Sequence, residues 1–243
     1  MKARTVVVAA AVLAGATACV RLGLWQLGRW DERERALAAA RAALAAPPVP
    51  HGAVFADPGS LAGRRVTLAG RFDADRHVVL TGRVRSGEPA VEVVTPLVLP
   101  GDSLAVPVLR GWLPAADAVT ARPEEHPEPP GRAVTGVVEP LPRGPAGHAW
   151  RVRRAGALTV WSTYVLDADS LAAPGRFPYA LAPYLVRELP GPGVPARPHR
   201  AAPPLPDAFL HLSYAVQWFA IAAVLLFGSL ALAVVRRGAG RGR

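Results

Sequence analysis

The residues best suited to chemistry stand together near the C-terminus, in His211-Leu212-Ser213-Tyr214-Ala215-Val216-Gln217-Trp218-Phe219. His211, Tyr214, Ala215 and Trp218 fall at i, i+3, i+4 and i+7, which is one face of a helix. An imidazole at the rim of that face could ligate the iron of a flat, mostly apolar macrocycle. Trp218, about 10 Å further along at 1.5 Å rise per residue, would lie against the ring system. The same residues also read as an aromatic belt with a histidine at its rim, because Trp and Tyr gather at membrane–water interfaces. Ser213 is no partner for His211 in hydrolysis, since side chains two apart on a helix point away from each other.

Other chemistries find no support. There is no Gly-rich phosphate loop, no Gly-x-Ser-x-Gly elbow and no His-Glu-x-x-His. Cys19 is the single cysteine, so no intramolecular disulfide forms and no zinc-ligand spacing exists. The other histidines (His51, His77, His126, His148 and His199) lie in polar or Pro-rich surroundings and read as exposed loop or strand residues. The net charge of +10 raises nucleic acid as a partner. The positive residues, all arginine except Lys2, are scattered rather than clustered on a basic face, which argues against nucleic acid.

Two apolar ends must position the His211 face. From Val6 through Leu27, after Lys2 and Arg4, about twenty residues are apolar enough to cross a hydrocarbon core. Trp25 and Trp30 would mark the outer interface. Arg21 would snorkel outward along its stem. A rival is processing: Ala16-Thr17-Ala18-Cys19 has the small-residue look of a signal-peptidase or lipoprotein site. Ala16, where lipoproteins carry leucine, and the apolar pattern beyond Cys19 favour a retained span. From Leu212 to Val235 a second span follows, with Asp207 as its expected N-cap. Arg236, Arg237, Arg241 and Arg243 come directly after it. Basic flanks stay in the cytoplasm, so both termini are expected inside and everything between the spans outside.

The expected organisation is an N-terminal transmembrane helix over 1–28, an extracytoplasmic β-rich domain with a leading helix over 29–207, a C-terminal transmembrane helix over 208–236 and a basic cytoplasmic tail over 237–243. The leading helix runs through the Ala-rich stretch to Ala46, and Pro47-Pro48 stops it. Strands are expected at Arg64–Phe72, His77–Leu80, Ala90–Leu99, Leu104–Leu113, Arg132–Val138 and Phe177–Leu189, with one short helix in Asp167–Ala173 and a Pro/Glu-rich loop at Pro123–Pro130. Strands joined by short turns predict an antiparallel sheet or small β-barrel, hence an α+β chain.

These residues resemble the Surfeit locus protein one family over nearly the whole chain. The resemblance rests on Gly23-x-Trp25-Gln26-Leu27-x-Arg29, on Gly70-Arg71-Phe72-Asp73, on Thr95-Pro96-Leu97 and on Arg110-Gly111-Trp112-Leu113-Pro114. It rests also on His211-Leu212-x-Tyr214-Ala215-x-x-Trp218-Phe219. The resemblance implies an accessory protein of a bacterial plasma membrane and not an enzyme. It would bind haem a and assist its insertion into cytochrome c oxidase subunit I, with the haem a synthase and membrane lipid as further partners. It places haem iron on His211, with Trp218 and Tyr214 on the same face. Arg110-Gly111-Trp112 reads as structural, with Gly111 allowing a tight bend and Trp112 packing the sheet. The alternative is a membrane scaffold that binds oxidase subunits through the β domain without binding haem.

Overall fold

The computed structural model describes residues 2–50, 59–101, 103–144 and 149–239. They form two compact units, one of residues 1–41 with 205–243 and one of residues 42–204. Long apolar helices flank a mixed β-sheet, so the chain is α+β.

In the first unit, α1 (Lys2–Ala45) begins. Its Ala/Leu-rich sequence carries no β-branched residue beyond Val20, and it runs unbroken to the Pro47-Pro48 stop. After the apolar stretch its surface is stitched by Arg29–Glu32 and Asp31–Arg35 pairs at helical spacing. The helix closing the unit spans Phe209–Ala239 (α3). Asp207 caps it, its Oδ1 accepting from the Phe209 N–H at 2.9 Å. Both are long and apolar enough to cross a membrane.

The second unit holds β1 (Val49–Pro50), β2 (Arg65–Leu68), β3 (Arg71–Phe72), β4 (Arg76–Arg85), β5 (Glu88–Val98), β6 (Leu104–Pro114), β7 (Val134–Pro140), β8 (Arg151–Ala155) and β9 (Leu158–Thr163). A four-residue helix α2 (Ala168–Leu171), β10 (Ala180–Leu181) and β11 (Tyr184–Glu188) complete it. The strand order is β1-β2-β7-β11-β6-β5-β4-β9-β8, with β10 beside β6 and β3 beside β5. The expected antiparallel pairing holds for β4–β5, β5–β6, β2–β7 and β7–β11. The sheet as a whole is mixed, because β4–β9, β6–β11, β6–β10 and β1–β2 run parallel. Parallel neighbours need a long crossover, ordinarily a helix. Here, among the described residues, the return path between β4 and β9 runs through strands β5 to β8 and that between β6 and β11 through strands β7 to β10 and the short α2, a connection that local alternation does not reveal. The β8–β9 hairpin was not among the expected strands.

Strands β5 and β6 are buried along most of their length on both faces. Among the described residues no long helix in this unit covers them, so the sheet and its loops must cover one another. One face carries Val66, Leu68, Leu97, Val106, Val108, Tyr184 and Val186. The other carries Val78, Leu80, Val94, Leu109, Trp161 and Leu185. A bulge in β6, where Val93 pairs with Gly111 and Val94 with Leu109, leaves Arg110 as the extra residue. Bulges re-aim side chains, and this one turns Arg110 into the interior, where its residue is 1% exposed.

Candidate functional site

The helix pair is built on small residues. Ala16, Cys19 and Gly23 are buried on one face of α1, and Ala215 and Ala222, seven apart, are buried on α3. A Cβ at Gly23 would come within 2.7 Å of the Phe219 ring, and one at Gly15 within 3.5 Å of Leu225. With Gln26 meeting His211, the contacts run in opposite order along the two helices, which makes the pair antiparallel. Small residues are what allow helix backbones to approach so closely.

His211 sits half-buried in the first turns of α3. Its Nδ1 lies 2.8 Å from Gln26 Oε1 across the helix pair. Its Nε2 has no hydrogen-bond partner among the described residues, so one ring nitrogen is held and the other is available. Tyr214 is 43% exposed and Trp218 half-buried. Ala215, on the side of Trp218 away from Tyr214, is 1% exposed and packs into the interhelical seam. Ser213 donates to the Leu210 carbonyl at 2.8 Å, so its hydroxyl is engaged with its own helix. Phe219, one residue beyond Trp218, lies against Gly23. His211, Tyr214 and Trp218 all stand on α3, while Gln26, 185 residues away in sequence, carried no signal of its contact with His211 beyond its motif.

Among the described residues His211 Nε2 is the nitrogen that could hold a metal, with the half-buried Trp218 indole and the exposed Tyr214 phenol on the same helix.

The mid-domain motifs converge elsewhere, on a buried polar cluster of the β unit. Thr95 Oγ1 lies 2.9 Å from His77 Nδ1 and accepts from Arg110 Nη1 at 3.3 Å. Arg110 Nε donates to Glu128 at 2.6 Å, and its Nη2 donates to the His126 carbonyl. Glu128 also pairs with Arg132 and Arg200, and both arginines reach Glu188. Phe72 lies under the guanidinium groups of Arg110 and Arg132 at 5.9 and 5.5 Å. Asp73 accepts from the Asp75 N–H, from Arg76 and from the Tyr179 hydroxyl at 2.6 Å. A cavity of about 140 Å³ lies between this cluster and the 123–132 loop.

Electrostatics follow from burial. His77 is buried on β4 and not exposed as expected. Its second nitrogen faces the Ala74 carbonyl at 3.0 Å, and burial followed by the Arg110 charge lowers its pKa to about 4. For Glu128, burial pushes the carboxyl up, but Arg110, Arg132 and Arg200 outweigh it and hold it below the usual range. The ring nitrogens of His77 and every nitrogen of the Arg110 guanidinium are engaged, which marks the cluster as framework. Gly111 has φ +127°, and a Cβ there would collide with the His199 backbone. Only glycine suits that position. Trp112 is half-buried, not deeply buried as a sheet-packing tryptophan would be. It meets the His199 ring at 4.7 Å and pairs with the His199 backbone. His51 and His148 lie outside the described residues.

No curated protein matches the chain. The sequence does match the SURF1 family over residues 13–223, from inside the first long helix to inside the second, taking in the Gln26–His211 pair and the whole β unit. By that match the chain belongs to the SURF1 family, a family of cytochrome c oxidase assembly factors.

Proposed function

We propose that the protein binds haem a on its helix pair, with His211 ligating the iron, and assists insertion of that haem into cytochrome c oxidase subunit I. The observation that carries this reading is the His211 imidazole, held at Nδ1 by Gln26 and open at Nε2. Tyr214 and Trp218 stand near it on α3 with their rings at least partly exposed, while Ala215 is buried in the seam with α1. Haem supplies the redox iron that the oxidase needs; the chain supplies one ligand and an apolar wall.

In the membrane arrangement we propose, basic residues at both ends keep the termini in the cytoplasm of a bacterial cell and residues 29–207 outside its plasma membrane. His211 then lies near the outer headgroup zone, where propionates can remain hydrated while Trp218 and Tyr214 meet the apolar edge. The haem a synthase would be the donor and subunit I the acceptor.

The test is to purify the full-length protein from haem-a-producing cells, record its absorption spectrum and identify the extracted haem. Stoichiometric haem a supports the reading. Protein free of haem, in cells that assemble oxidase through it, contradicts it. A second reading, a scaffold that holds oxidase subunits without haem, draws on the exposed edge strand β8, which presents Arg151, Arg153 and Arg154. That scaffold would cross-link to an oxidase subunit through β8 and co-purify with no haem.

A further inference from the structure

We infer that Gln26 is the positioning residue for His211: its side-chain carbonyl selects the ring tautomer that leaves Nε2 free, and its neutrality keeps the ligand weak enough for haem to be handed on. The inference rests on the haem reading above, but its first half concerns the haem-free protein.

The geometry is direct. Gln26 stands three residues beyond Gly23 on the face of α1 that meets α3. Because Phe219 closes against Gly23, the helices are near enough there for a glutamine side chain to reach His211 at 2.8 Å. A neutral imidazole carries one N–H. With Oε1 of Gln26 as the facing atom, that proton sits on Nδ1, and Nε2 holds the lone pair. Metal-ligating histidines characteristically donate their second N–H to an acceptor that fixes orientation and raises basicity. A carboxylate acceptor pulls harder on the proton and gives the ring imidazolate character, which favours ferric iron and tight retention. An amide oxygen orients the ring with less charge transfer. For a carrier that must release its haem, the weaker acceptor is the appropriate one.

The experiment uses full-length protein in lipid nanodiscs with ¹⁵N-labelled histidine, comparing wild type, Gln26→Leu and Gln26→Glu, with His211→Ala to assign the signal. Without haem, wild type and Gln26→Glu should show His211 protonated at Nδ1, and Gln26→Leu should shift the ring toward the Nε2–H form. A wild-type ring protonated at Nε2, or one indifferent to Gln26→Leu, overturns the inference whatever the haem result. With haem a added, Gln26→Leu should retain it about 10- to 100-fold less well, the usual range for losing such a partner. Gln26→Glu should retain it more tightly and move the midpoint potential to more negative values. Should Gln26→Leu fail to fold, the Gln26→Glu potential decides, and an unmoved potential counts against the inference. If no variant takes up haem while the tautomer results hold, the haem reading fails and the positioning of His211 stands.

Discussion

Arg110, Glu128 and His77 show how much of the β unit depends on charge held away from water. Glu128 neutralises parts of three guanidinium groups, and removing one member of a buried ionic network typically costs about 3–5 kcal/mol, because the remaining charges lose their compensation. Glu128→Gln should therefore lower unfolding stability by that order, read from denaturant unfolding in detergent, whereas Glu125→Gln at an exposed pair should change it little. His77 gives a pH signature of definite sign. Its folded pKa of about 4 lies below its ordinary 6.5, so between those values the unfolded chain binds a proton that the folded chain refuses. Stability should be fully present above pH 6.5 and fall as pH drops toward 4, by up to about 1.4 kcal/mol per pH unit. Glu128 and Glu92, held below the usual carboxylate range by arginines, add their losses only below about pH 4.5. His77→Gln should flatten the 4–6.5 window alone, and unfolding curves across that range check it.

Among the elements, the α1–α3 pair is the one on which site geometry depends. Gly23→Leu would force the Phe219 ring aside and spread the helices next to Gln26 and His211. Overpacking of this kind costs roughly 1–3 kcal/mol. Adding Phe219→Ala should recover much of the loss, and failure of the double variant to recover would show that Gly23 matters for another reason. These elements also show what the sequence could reveal. Both long helices, the Asp207 cap, the short helix α2 and the strands β4 to β7 were legible from apolar runs, a capping residue and Pro/Gly punctuation, whereas the Asp167 cap of α2 was not read. The His211 face was legible because a helix has a fixed period. The Gln26–His211 contact was not, because it joins residues 185 apart through an interhelical packing that no local rule encodes. Nor was the buried network: Arg110, Glu128, Arg132, Glu188 and Arg200 are scattered over ninety residues, and each alone looks like a solvated charge. The parallel pairs β4–β9 and β6–β11 stayed hidden because their connections run mainly through other strands and not through one long crossover helix.

At the scale of the whole molecule, the proposed topology predicts that alkaline phosphatase fused after Leu189 is active in a bacterial host and that the same enzyme fused after Arg243 is silent; the opposite pattern would invert the orientation. The account also has the N-terminal span retained with Cys19 unmodified, so the intact mass should include every residue before Cys19 and no acyl chain. The central claim is that this helix pair carries haem through His211. The most direct measurement is the absorption spectrum of the full-length protein purified from haem-a-producing cells, wild type beside His211→Ala, with membrane insertion of both confirmed. The account predicts a haem a spectrum in the wild type that is lost or strongly shifted in His211→Ala, with weaker retention in Trp218→Ala. A full and unshifted haem complement in His211→Ala would contradict it, and the His211 face would then be an aromatic belt at the membrane surface.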